Sequence, residues 1–296
     1  MIEIKNMALK YPSGKGVFDV NFAIRAGEVT GYLGPNGAGK TTTIRALMGF
    51  MRPQSGSCTI GGMDCFRQAP KIHRRLGYIP GEISFIEDMR GDEYLKLIAD
   101  MNGLKDFTKQ KALLERFELV PKGRIKKFSK GMKQKLCIVS AFMHDPDVLI
   151  LDEPTSGLDP LMQSRFVELI QEEKQHGKTI LMSSHIFEEI ERTCDDVLII
   201  KEGRIISRSD IDTVKNARRR TYILRMENTG RALNQFLQAG FEAKQTDSGT
   251  LEVCAAREKI PQFVQLLATT PLVDLDVKAQ TLEDLFMDYY AKEAKQ

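Results

Sequence analysis

Gly34-Pro35-Asn36-Gly37-Ala38-Gly39-Lys40-Thr41-Thr42 fits the pattern G-x-x-x-x-G-K-[ST], with one further glycine at Gly37. Its flanks are as informative as the match. Val29-Thr30-Gly31-Tyr32-Leu33 reads as a buried strand, and Thr43 to Phe50 reads as a helix with Ile44, Leu47 and Met48 on one face. A strand, a glycine-rich turn and a helix N-terminus together make a phosphate cradle. Glycine permits positive φ and lets backbone approach a ligand closely. Successive N–H groups then face an anion, and the helix dipole favours negative charge there. Lys40 is placed to reach β- and γ-phosphates, the Thr41 hydroxyl to ligate Mg²⁺, and Thr42 to bond a more proximal phosphate. A glycine-rich turn with a chance lysine is the plain alternative. The register of strand, loop, Lys-Thr and helix argues against it.

On the N-terminal side, residues 2–33 read as antiparallel strands. Ile2 and Ile4 alternate with Glu3 and Lys5, and Phe18, Val20, Phe22 and Ile24 with polar or small neighbours. Tyr11, at a turn, is a candidate stacking face for a purine; taken alone it reads more readily as a packed strand aromatic. On the C-terminal side come a short strand at Cys58–Ile60, a basic helix at Pro70–Arg75 and a buried strand at Leu76–Ile79. From about 84 to 143 the pattern is helical. Tyr94, Leu95, Ile98 and Met101 share one face, Leu113, Leu114, Phe117 and Leu119 another, and a third helix starts near Ser129 as N-cap.

Asp147-Val148-Leu149-Ile150-Leu151-Asp152-Glu153 is an apolar run bounded by acids, the pattern of a central parallel strand. Asp152 closes it, where its carboxylate emerges at the carboxyl edge of the sheet beside the cradle and can hold Mg²⁺ directly or through water. Glu153 is then placed to orient or deprotonate an attacking water. His185 ends the next strand, where an imidazole can donate to a γ-phosphate. Alternating strands and helices continue to about residue 206 and predict a parallel sheet covered on both faces. Asp210 to Arg220 is a polar, basic boundary. Beyond it, residues 221–290 read β-α-β-β-α-β, a ferredoxin-like order closing in a helix at Thr281–Tyr290.

The remaining bounds are permissive. The 296 residues, 42% hydrophobic and 28% charged, suit two globular domains. A net charge of +3 gives no nucleic-acid footprint. Five scattered cysteines without a C-x-x-C pair argue against a disulfide framework or zinc site and suit a reducing compartment. No apolar run approaches the ~18 residues of a membrane span, so any membrane role requires a partner.

Asp152-Glu153-Pro154-Thr155-Ser156-Gly157-Leu158-Asp159, the Gly34 loop, the Ser183-Ser184-His185 ending and Phe128-Ser129-Lys130-Gly131-Met132 together resemble ATP-binding cassette ATPases over roughly residues 1–210. Within that family the chain resembles the ATPase subunits of ABC-2-type exporters, many of which carry a small C-terminal domain with a run like Leu282 to Phe286. The resemblance implies an α/β fold: a P-loop NTPase core with an antiparallel β subdomain and a helical insertion, plus a small α+β C-terminal domain. The corresponding domains are 1–210, a linker at 211–220, and 221–296.

The resemblance further implies ATP and Mg²⁺ as ligands and ATP hydrolysis as the activity. Tyr11 becomes the adenine-stacking residue, Gly34 to Thr42 (Gly34, Pro35, Asn36, Gly37, Ala38, Gly39, Lys40, Thr41, Thr42) the nucleotide loop, and Asp152 the metal-side acid. Glu153 becomes the base, His185 the switch residue, and Asp159 a contact between subunits. Phe128, Ser129, Lys130, Gly131 and Met132 become a signature that completes the site of an opposing subunit. One chain holds one loop and one signature, so the implied assembly is a head-to-tail homodimer on a membrane permease at the cytoplasmic face of the membrane. Two positions depart from the family pattern. Lys130 and Met132 stand where glycine and glutamine are usual, a variant like that of ABC-2-type members. Gly81 follows Tyr78-Ile79-Pro80 where a glutamine is usual, leaving Glu82, one residue on, as the replacement metal ligand. A soluble ABC machine acting on ribosomes or nucleic acid, or a P-loop kinase, are the alternatives; neither tandem cassettes nor a coiled-coil insert is present for the first, and a kinase needs no Ser129 or His185 motif.

Overall fold

The computed structural model describes residues 1–184, 186–216, 220–246, 249–255 and 257–279. Two compact units divide at Ile211/Asp212. The first begins with strands β1 (Ile2–Lys10), β2 (Gly16–Ile24) and β3 (Val29–Leu33), helix α1 (Lys40–Leu47), strands β4 (Ser55–Ile60) and β5 (Met63–Asp64), helix α2 (Ala69–His73) and strand β6 (Leu76–Ile79). Helices α3 (Gly91–Met101), α4 (Thr108–Arg116) and α5 (Lys130–Phe142) follow. Then come β7 (Val148–Asp152), α6 (Pro160–Gln175), β8 (Thr179–Ser183), α7 (Phe187–Thr193), β9 (Asp196–Lys201) and β10 (Arg204–Asp210), and the division falls at the first residue of α8 (Ile211–Asn216).

A six-stranded sheet runs β10-β9-β3-β8-β7-β6. Strands β9, β3, β8, β7 and β6 are mutually parallel, and β10 closes one edge antiparallel. Every residue of β3, β7 and β8 is buried, as strands sandwiched between helical layers must be. A second, antiparallel sheet is ordered β2-β1-β4-β5. The sequence reading placed β3 with the antiparallel strands; the structure moves it into the parallel sheet between β8 and β9. All five of its residues are buried, on both faces, which a two-layer antiparallel edge cannot do. In β1 the alternation breaks at Asn6, whose φ is 46°, and the register with β2 shifts between Ile4 and Met7. This bulge turns Met7 and Leu9 back to the core.

The helical region starts at Gly91 rather than near 84. On α3 the buried residues are Gly91, Leu95 and Ala99, while Met101 is exposed, so the inward face is narrower than the apolar spacing predicts. Ser129 caps α5 by accepting a hydrogen bond from the Met132 N–H at 3.2 Å.

The second unit contains β11 (Arg220–Met226), α9 (Thr229–Gln238), β12 (Glu242–Gln245), β13 (Leu251–Ala255), α10 (Ile260–Ala268) and β14 (Leu272–Ala279). The sheet order β12-β13-β11-β14, antiparallel throughout, is that of a ferredoxin-like β-α-β-β-α-β unit. Tyr222, Leu224, Phe236, Phe241, Leu251, Val253 and Phe263 form its core. The predicted closing helix at Thr281–Tyr290, with Leu282 to Phe286, lies outside the described residues.

Candidate functional site

The order β3-β8-β7 sets the site. The Gly34 loop leaves the carboxyl end of β3, and Asp152 ends β7, with β8 between them. Gly37 and Gly39 have φ of 83° and 114°, and Gly39 serves as the N-cap of α1. These left-handed positions turn the chain tightly enough to aim its N–H groups into the loop. A Cβ at Gly34 would lie 2.5 Å from the Ile200 carbonyl oxygen, so this position excludes any side chain. Lys40 is only 6% exposed. Its Nζ donates to the Gly34 carbonyl at 2.6 Å and lies 3.7 Å from Glu153 Oε1.

Asp152 is 1% exposed, and both of its oxygens are engaged. Oδ2 accepts from Thr41 Oγ1 at 2.8 Å and Oδ1 from Ser183 Oγ at 2.5 Å. Ser183 also accepts the Glu153 N–H, at 3.1 Å both to its Oγ and to its carbonyl oxygen. Glu153 has φ of 51°, a left-handed conformation that is uncommon for a residue with a side chain and clusters at functional sites. The bend at Glu153 turns the chain out of β7, and Gln134 on α5 then donates from Nε2 to the Pro154 carbonyl oxygen. Sequence reasoning gave Ser183 no role beyond its place in the Ser183-Ser184-His185 ending and did not single out Gln134, which carried no signal.

The Thr41 and Asp152 oxygens are hard donors, and among the described residues no group of three or more His, Cys, Asp and Glu could hold a metal by itself. Two protein oxygens beside a phosphate cradle are the donor set Mg²⁺ takes when substrate phosphates and water supply the rest. The residues present therefore fit Mg²⁺.

A cavity of about 320 Å³ lies over the loop, lined among others by Tyr11, Asn36, Gly39, Lys40, Thr41, Asp152 and Glu153. Tyr11 donates its hydroxyl to Met51 Sδ at 3.3 Å and sits 3.5 Å from Thr42 Oγ1, which ties it to the first helical turn. Phe128 is buried against Gly91, whereas Ser129 and Lys130 are exposed. None of Phe128, Ser129, Lys130, Gly131 and Met132 lines this cavity. Asp159 is exposed and caps α6, accepting from the Met162 N–H at 3.0 Å. Glu82 is exposed and absent from the lining; the residue brought against Asp152 is Gly81, where a Cβ would lie 2.9 Å from Oδ2. The one-residue offset thus puts backbone, not the Glu82 carboxylate, beside Asp152. His185 lies outside the described residues.

Comparison with known proteins fits this geometry. The family model described as "ABC transporter" matches residues 17–156. The chain is 38% identical over 211 residues to the ABC transporter ATP-binding protein NatA of Bacillus subtilis, covering 69% of this chain and 86% of that protein. It is 37% identical over 239 residues to the bacitracin transport ATP-binding protein BcrA of Bacillus licheniformis, covering 79% and 77%. A solved structure of the ATP-binding subunit of an ABC transporter superposes with a TM-score of 0.68 at 35% identity, covering 73% of this chain and 92% of that one. A P-loop on β3, paired acids ending β7 and these likenesses lead to one conclusion: the chain belongs to the ATP-binding proteins of ABC transporters, ATPases whose hydrolysis of ATP drives transport.

Proposed function

We propose that this ATPase powers export through a separate ABC-2-type membrane permease, as a head-to-tail homodimer at the cytoplasmic face of the membrane. One observation carries the dimer: the cavity over Lys40 takes no lining from Phe128 to Met132, and the α5 N-terminus at Ser129 is exposed. A phosphate-binding helix end that does not serve its own loop is available to the loop of a second copy. The relative BcrA, by name a bacitracin transport protein, supports an antibiotic-class cargo.

Each residue then has a task. The Gly34–Gly39 backbone and Lys40 hold the β- and γ-phosphates, and Tyr11 borders the space for the base. Thr41 and Asp152 hold the metal side. Mg²⁺ held there by Thr41 and Asp152 would supply charge neutralisation to the phosphates. Glu153 accepts the proton of the attacking water. Its carboxylate is 3.7 Å from Lys40 Nζ, and a γ-phosphate that draws Lys40 to itself loosens that ion pair. His185 contacts the γ-phosphate, and Asp159 meets the facing subunit. Glu82, exposed next to Gly81, faces the permease rather than the metal. Docking of the permease falls at 81–92, between sheet and helical insertion.

Glu153→Gln retains the nucleotide loop but removes the base, so it should accumulate an ATP-bound dimer. The solution mass of this variant is measured with and without ATP and Mg²⁺. A mass that stays monomeric at micromolar concentration counts against the proposal.

A further inference from the structure

Gln134 is 3% exposed, in the second turn of α5, and nothing in the ATPase chemistry above uses it. Its amide donates to the Pro154 carbonyl oxygen, one residue past Glu153. The same face of α5 rests on the same turn. A Cβ on Gly131 would lie 3.0 Å from the Gly157 carbonyl oxygen, and one on Gly157 (φ 82°) would lie 3.0 Å from the Lys130 stem. Residues three or four apart share a helix face, so Lys130, Gly131 and Gln134 act as one contact. The turn they grip carries Glu153 in a left-handed conformation, which persists only where the surroundings over-determine it. Ser183 fixes the Glu153 N–H from the β8 side at 3.1 Å; Gln134 fixes the following carbonyl from the α5 side. Beyond that carbonyl, the Ser156 N–H closes the turn onto the Glu153 carbonyl oxygen at 3.1 Å.

We infer that Gln134 is a positioning residue: it sets Glu153 against its own nucleotide and couples it to the Ser129 end of α5. This rests on the proposed dimer in one respect only. If Ser129 clamps the nucleotide of the opposing subunit, a shift of α5 on that clamping is passed through Gln134 to the Glu153 turn, and each site gates hydrolysis at the other. Within a single subunit the positioning role stands without the dimer.

The test is ATP turnover by the full chain, with wild type and Glu153→Gln as references. Gln134→Met keeps the shape and removes the donor. A misplacement of about 1 Å at the reacting group is worth about 10²-fold in rate. Gln134→Met should therefore lose about that factor in kcat while KM for ATP changes little, and the sigmoidal dependence on ATP should flatten. Gln134→Glu supplies a donor only when its carboxyl is protonated, and burial favours that neutral form. Its kcat relative to wild type should rise as pH falls, the signature that mere loosening of the fold does not produce. Unchanged kcat in Gln134→Met, or a pH-independent ratio for Gln134→Glu, overturns the inference. Should Gln134→Met fail to fold, the Gln134→Glu pH profile decides alone. Wild type turning over with a sigmoidal ATP dependence that survives in Gln134→Met overturns the coupling; wild type that stays monomeric with ATP refutes the dimer reading and leaves kcat as the measure of positioning.

Discussion

Ser183→Ala removes one hydroxyl from the middle of the site. Ser183 is fully buried, and its Oγ donates to Asp152 Oδ1 at 2.5 Å while accepting from the Glu153 N–H at 3.1 Å. A hydrogen bond to a charged group contributes about 1.5–3 kcal/mol. The Glu153 N–H keeps the Ser183 carbonyl as a second acceptor at 3.1 Å, so little is lost there. The expected destabilisation is therefore about 2–3 kcal/mol, which for a unit of this size lowers Tm by about 4–12 °C. A freed Asp152 carboxylate can also rotate away from Thr41. Outer-shell partners of a metal ligand are worth about 10–100-fold in affinity, so half-saturating Mg²⁺ for ATP turnover should rise by that order. Ser184→Ala is the control: its Oγ bonds Glu189 Oε2 at 2.9 Å, away from Asp152, and it should lower Tm without moving the Mg²⁺ dependence. Thermal melts and ATPase assays across Mg²⁺ concentration read both effects. A Mg²⁺ dependence of Ser183→Ala that overlays wild type would refute the reasoning.

Three further outcomes follow from the same geometry. Ser129→Ala removes the cap of α5 and should cost about 1 kcal/mol in chemical denaturation, and in the proposed dimer it should also reduce ATP turnover with nucleotide affinity of the isolated subunit unchanged. Burial raises the Asp145 carboxyl, but hydrogen bonds and charge from Lys109 and Lys178 outweigh it and hold the group at about 2. A depressed carboxylate contributes stability above its unfolded value, about 3.9, that is lost as pH falls towards 2. Its exposed flank limits this to below about 1 kcal/mol, and urea melts of Asp145→Asn and wild type should converge across that acid window. Burial pushes the thiols of Cys58, Cys137 and Cys194 up to about 12 and raises Cys65 as well. A thiol reagent at neutral pH should therefore label the half-exposed Cys254 fast and the other four only after denaturation.

Residues 34–42 were legible from the sequence because a phosphate cradle is local. Its glycines, lysine and threonine sit on consecutive backbone positions, and the strand and helix that flank it are set by short-range periodicity. The acids at 152 and 153 were legible for the same reason, closing an apolar run that can only be a buried strand. The Ser129 cap and the β-α-β-β-α-β order of the second unit were also readable from residue spacing. Tertiary structure decided what surrounds those groups. The order β3-β8-β7 puts Ser183 between the loop and Asp152, and no local pattern reveals which strand lies between two others. Gln134 meets Pro154 only because α5 packs on the turn beyond β7, twenty residues along the chain. The offset that leaves Gly81 against Asp152 and Glu82 in solvent depends on how β6 ends beside β7. Short-range chemistry fixed which residues can bind phosphate; the partner each buried polar atom finds was fixed by packing between elements distant in sequence.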